Sequence, residues 1–211
     1  SDLTTSILLL GFVLGMRHAT DADHVVAVTT IVGDRDAFLS ASLVGALWGI
    51  GHTITILLVG GTIVVFRLAI PPRLGLAMEF AVALMLIALG MINLSGRRLS
   101  TMSRSARPLI AGLVHGLAGS AFVALLVVSA VPGAWLGLGY LALFGFGTIA
   151  GMTLITLTIA WPSAVAARRF VSMQRGIRLA SGVASIAFGL FLAGQGISNG
   201  LFSSVPMWTP R

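Results

Sequence analysis

The stretch Ala121-Phe122-Val123-Ala124-Leu125-Leu126-Val127-Val128-Ser129-Ala130-Val131 decides the architecture of this chain. Its apolar residues follow one another without the period-two alternation that a membrane barrel strand shows between lipid and lumen. The rest of the sequence is of the same kind: 57% of the 211 residues are hydrophobic and 9% charged, with mean hydropathy +1.03. A soluble domain carries about 25% charged residues, and so small a charged fraction cannot solvate a surface of this size. Lipid is therefore the solvent for most of it. Where no water reaches, backbone N–H and C=O groups must pair within their own segment, so the apolar runs are helices.

A helical span needs about 20 apolar residues. Six segments qualify, at about 5–31, 38–66, 74–94, 109–131, 134–160 and 179–199. Between them stand Gly33-Asp34-Arg35-Asp36, Pro71-Pro72-Arg73, the stretch 95–108, Pro132-Gly133 and the stretch 161–178, all rich in turn formers or charge. The expected fold class is all-α: one polytopic transmembrane domain over 1–211 with six transmembrane helices. The first apolar run, Ile7 to Val13, has no basic residue before it and leads into Arg17 and His18, so a removable signal peptide is not expected.

All thirteen basic residues are arginine, giving a net charge of +7. Such a charge can indicate nucleic-acid binding. Here the first, third and fifth loops hold nine of the arginines: Arg35; Arg97, Arg98, Arg104 and Arg107; Arg168, Arg169, Arg175 and Arg178. The opposite side holds Arg67, Arg73 and Arg211. That imbalance follows the positive-inside rule, so no nucleic-acid partner is expected. It places both termini outside and the chain in a cell membrane, expected to be the inner membrane of a prokaryote.

The two halves resemble each other. Gly15-Met16-Arg17-His18 parallels Gly112-Leu113-Val114-His115, and Leu47-Trp48-Gly49-Ile50-Gly51-His52 parallels Leu143-Phe144-Gly145-Phe146-Gly147-Thr148. Ala88-Leu89-Gly90 and Ala187-Phe188-Gly189 continue the order. A repeat of three spans, here about 5–94 and 109–199, must be inverted in the membrane. Inverted repeats characterise many secondary transporters, whose sites lie near the midplane between the repeats.

Chemistry concentrates in Arg17-His18-Ala19-Thr20-Asp21-Ala22-Asp23-His24, five ionisable groups within an apolar span. An intramembrane charge costs about 2.5–3.5 kcal/mol on insertion scales, so these groups are expected to face partners or a wet cavity. On a continuous helix His18, Asp21 and His24 fall on one face at 60° steps, while Asp23 lies about 140° from His18. Asp23 then either orients a ring nitrogen or is brought in by an unwound backbone. Arg17 is expected to pair with Asp21 or Asp23. His52 and His115 complete the histidines, all four of which lie within spans. With no cysteine in the chain, imidazole and carboxylate are the donors, a set that suits divalent nickel, cobalt, zinc or copper. Trp48, Trp135, Tyr140 and Trp161 include the candidates for interfacial anchors.

Arg17-His18-Ala19 with Asp21-Ala22-Asp23-His24 resembles the His-x4-Asp-His signature of the nickel/cobalt transporter (NiCoT/NicO) family, and Gly51-His52-Thr53 resembles its second motif. The resemblance implies metal-binding roles for His18, Asp23 and His24 and a supporting role for His52. Where eight-span nickel permeases carry a later acidic motif, this chain reads His115-Gly116-Leu117-Ala118-Gly119-Ser120-Ala121. Six spans without that motif look like the shorter branch of UreH-type urease-accessory transmembrane proteins.

The expected metal site is thus His18, Asp21, Asp23, His24, His52 and His115, and the expected function is movement of nickel or cobalt across the bilayer, as uptake. The ion is cargo, and no prosthetic group is expected. A metallochaperone or a second copy of the chain is the protein partner such a role invites. No phosphate-binding Gly-x4-Gly-Lys-Ser/Thr loop and no His-Glu-x-x-His motif occurs, so an enzyme is not expected. Rival readings are a non-transporting protein that delivers metal to a metalloenzyme such as urease, and an intramembrane metalloenzyme.

Overall fold

A computed structural model describes residues 2–32, 38–68, 71–95, 105–117, 131, 133–169, 171–203 and 206. Among the described residues there are seven helices and no strand: α1 Asp2–His18, α2 Ala22–Val32, α3 Phe38–Phe66, α4 Pro72–Ser95, α5 Ala106–His115, α6 Ala134–Arg169 and α7 Val171–Ser198. Four stretches are long and apolar enough to cross a membrane: Ala41–Phe66, Pro72–Ser95, Ala134–Trp161 and Arg175–Ser198. The pair α1 and α2 adds a fifth if it is taken as one span, bent by 55°. Of the expected span at 109–131, α5 supplies the beginning, and residues 118–130, including most of the Ala121–Val131 run, lie outside the described residues.

The bend has a local cause. The last turn of α1 tightens from Ala19 N–H donating to Gly15 O into three-residue steps, Thr20 N–H to Arg17 O and Asp21 N–H to His18 O. The Thr20 hydroxyl also donates to Arg17 O at 2.6 Å, so the side chain competes for a carbonyl the helix would use. The chain restarts when Val25 N–H reaches Asp21 O. The broken helix, one of the two alternatives for Asp23, is thus present.

Glycine determines how closely the spans approach, and the close approaches come in matched pairs. A Cβ on Gly15 would collide with Phe144 O, and one on Gly112 with Trp48 O. One on Gly147 would collide with Phe12 O, and one on Gly51 with Leu109 O. Gly90 faces Gly182 O and the Ile186 side chain; Gly189 faces Ala83 O and the Ile87 side chain. Each pair exchanges residues that the sequence comparison set opposite each other. The contacts also fix directions. α1 runs parallel to α6, since Gly11 meets Tyr140 and Gly151 meets Met16 and Ala19. α3 runs parallel to α5, and α3 runs antiparallel to α6, with Gly45 near Met152 and Gly145 near Thr53.

Such backbone proximity supplies the packing that holds helices together in lipid, where no hydrophobic force acts between them. Gly15→Ala is therefore expected to destabilise the bundle by at least the ~1–3 kcal/mol typical of overpacking. Gly194→Ala, with nothing within 4 Å of the added atom, should leave it unchanged. Thermal unfolding of the two variants in one detergent gives the comparison.

Two expectations need correction. Trp48 and Tyr140 are fully buried and cannot sit at the headgroups, because both face neighbouring helices. The exposed pair is Trp135 and Trp161, 88% and 67% accessible. They stand 26 residues apart on α6, about 39 Å at 1.5 Å per residue, close to a bilayer with its interfaces. Arg17 is exposed and forms no ion pair with Asp21 or Asp23 among the described residues. It lies in the last turn of α1, and the carboxylates contact histidines instead.

Candidate metal centre

All four histidines are buried, and they meet at one place. His18 closes α1, His24 lies in the first turn of α2, His52 is at the middle of α3 and His115 closes α5. The 55° bend turns the start of α2 back over the end of α1, so two residues six positions apart stack edge to face with ring centroids 4.6 Å apart. His24 is also 5.2 Å from the His52 ring and 4.2 Å from the His115 ring, which makes it the hub. The backbones can come this close because Gly51 and Gly112 bring α3 and α5 into contact beside His52 and His115.

The two aspartates have different positions. Asp21 Oδ2 accepts from His18 Nδ1 at 2.9 Å, and its side chain is 41% exposed. Asp23 is 14% exposed; its Oδ2 accepts from His115 Nε2 at 3.0 Å, and its Oδ1 accepts the backbone N–H of His24 at 3.0 Å. Since a carboxylate only accepts, neutral His18 carries its proton on Nδ1 and directs a lone pair from Nε2. That atom lies 3.0 Å from His52 Nε2, which must then be the donor.

Several nitrogens lack any partner: both ring nitrogens of His24, Nδ1 of His52 and Nδ1 of His115. His24 Nδ1 lies 3.3 Å from Asp23 Oδ1 without hydrogen-bond geometry. Buried polar atoms are ordinarily satisfied, so orphans grouped this way point to a missing ligand. Two sets of three have donor atoms all within 4.8 Å of one another: His18, His24 and His52; and Asp23, His24 and His115. Three ligands bound at 2.0–2.1 Å around one ion lie about 3.4–3.6 Å apart, so a first-row ion would draw the members of either set inward by about 1 Å.

Of the six expected residues, five fall in these sets, while Asp21 is held one contact back, on the nitrogen of His18 that faces away from His52. A partner in that position fixes ring orientation and raises ligand basicity. Asp21→Asn is expected to lower metal affinity about 10–100-fold without abolishing binding, read by calorimetric titration with Ni2+.

Two walls of the site escaped sequence reasoning. The Trp48 ring lies 5.6 Å from His115 and the Phe144 ring 5.4 Å from His18. The signal for Trp48 was its position one helical turn before His52 and ten residues inside α3, on the same face and far from either end. Asp34 and Asp36, in the first loop, lie outside the described residues.

The chain is 37% identical to the urease accessory protein UreH of Bacillus sp. (strain TB-90) over 217 residues, covering 93% of this chain and 95% of that protein. No family model and no solved structure matches it.

Proposed function

The chain belongs to the family of the urease accessory protein UreH, and from that premise we propose that it moves a divalent nickel ion through the membrane for use by a urease. The observation that carries this reading is the cluster of four buried histidines with Asp23 in an apolar bundle, several of whose ring nitrogens have no partner. A structural polar network would satisfy its own members, because unsatisfied groups are costly in a low-dielectric interior. Imidazole with a single carboxylate suits nickel and cobalt, the ions implied by the resemblance to the nickel/cobalt transporters.

The matched glycine contacts support two three-span repeats of opposite orientation. α1 and α5 correspond in sequence, yet α1 runs with α6 and α5 with α3, and those two are antiparallel. The cluster lies where the repeats meet, as in inverted-repeat transporters generally. With the arginine-rich loops inside, an inward-negative potential favours entry by about 2.3 kcal/mol per charge per 100 mV, so the direction we propose is uptake. Binding requires the neutral imidazoles, and the proton between His18 and His52 must leave as the ion enters.

The name of the relative favours a second reading, in which the chain holds nickel and hands it on without moving it across the bilayer. Radionickel uptake into proteoliposomes separates the two. Transport predicts time-dependent accumulation above empty vesicles; tight binding without accumulation would establish the holding role instead.

A further inference from the structure

The two three-residue sets have one member in common. We infer that the metal centre is a pair of alternative subsites, His18-His24-His52 and Asp23-His24-His115, between which an ion is handed while His24 stays bound to it; this rests on the transport reading above. Four observations carry the inference.

His24 lies 4.6 Å from the His18 ring on one side and 4.2 Å from the His115 ring on the other, and neither of its ring nitrogens makes a hydrogen bond, Nδ1 lying 3.3 Å from Asp23 Oδ1. One imidazole cannot serve two separate first-row ions at once without bridging them through its two nitrogens. A second dication a few ångströms away would be repelled with only one carboxylate, Asp23, in either set. One ion at a time is the arrangement the charges allow.

The subsites also have different walls. The first is walled by Phe144, ten residues from the start of α6. The second is walled by Trp48, ten residues from the start of α3.

One histidine and the wall of each subsite correspond under the sequence repeat, which sets His18 opposite His115 and Phe144 opposite Trp48, while His52 has Thr148 opposite it. Each repeat thus supplies one anchoring histidine, and each of those is held by a carboxylate, His18 by Asp21 and His115 by Asp23.

Finally, the sets differ chemically. The first offers three imidazoles; the second replaces one with a carboxylate. An ion passing from the first set to the second exchanges the nitrogens of His18 and His52 for a nitrogen of His115 and a carboxylate oxygen of Asp23.

The test is equilibrium binding to the purified full-length chain in lipid nanodiscs, with Ni2+ for stoichiometry and Co2+ as an absorption probe. Wild type is expected to bind one ion per chain. His52→Ala and His115→Ala each leave the other set complete, so each is expected to keep one ion, at least one of them within about twofold of wild-type affinity, and to give different Co2+ spectra, one with a carboxylate ligand and one without. His52→Gln and His115→Gln, closer in size, repeat the comparison should either alanine variant fail to fold. In vesicles both lesions should stop flux, since a hand-over needs both ends. Two ions per wild-type chain, or a His115 variant matching wild type in affinity, spectrum and flux, would overturn the inference. The binding results do not depend on transport: a wild type that binds one ion, gives these spectra and shows no flux would end the transport reading and the hand-over, and leave the two subsites standing.

Discussion

Replacing His24 with alanine is expected to reduce nickel affinity more than a thousandfold and flux to that of empty vesicles, the largest effect of any single substitution in the chain. His24 belongs to both three-residue sets, so its loss leaves two ligands on either side and no complete set. Metal binding worth about 10–16 kcal/mol across four ligands is about 3 kcal/mol per ligand, or about a hundredfold each. Removing a shared ligand also removes the alternative position to which an ion could retreat. The ring is fully buried and makes no hydrogen bond of its own, so the structural cost is a cavity between α1, α3 and α5. Size-exclusion behaviour in detergent should remain that of wild type. His24→Gln controls for volume: it should restore the packing and leave binding low.

The second large effect concerns charge. Asp23→Asn is expected to weaken Ni2+ binding about a hundredfold or more while keeping the contact to His115, because the amide oxygen still accepts from Nε2. Asp23 is the one carboxylate in the two sets. A unit charge about 4 Å from another is worth about 4 kcal/mol at an effective dielectric near 20, and a dication doubles that before desolvation is counted. A hundredfold loss is about 2.8 kcal/mol, a conservative share of the total. Asp21→Asn removes a charge too, but from a side chain 41% exposed and outside both sets, so its effect should be smaller. Titrating the two variants in parallel with Ni2+ gives the order. Equal losses would mean that charge near the site matters and position does not.

The fold was legible where composition and periodicity act alone. Lipid solvation demands helices, and the four spans Ala41–Phe66, Pro72–Ser95, Ala134–Trp161 and Arg175–Ser198 agree with the expected segments to within a few residues. The correspondence of Gly15 with Gly112 and of Gly51 with Gly147 was visible as a weak repeat. What the sequence could not give was the reason for it: each glycine receives a backbone carbonyl from the partner half.

The site was legible as a list and not as an arrangement. A face drawn on a continuous helix put Asp21 with His18 and His24 and left Asp23 out. The break at residues 19–21 reverses those roles, with Asp23 inside and Asp21 on the rim of His18. Nothing in Thr20 or Asp21 alone marks that break, because a hydroxyl that bends one helix leaves another straight. His115 has no place in the two family motifs, and geometry sets it against Asp23 and Trp48. Arg17 failed as a partner because both carboxylates are taken by histidines and its own residue is exposed.

Uptake of radioactive Ni2+ by proteoliposomes, under an inward-negative potential and compared between wild type and His24→Ala, bears most directly on function. Wild type should accumulate the ion with time and saturate with concentration, and His24→Ala should match empty vesicles. Equal accumulation by the two, or none by wild type that still binds nickel tightly, would contradict passage of the ion through this cluster.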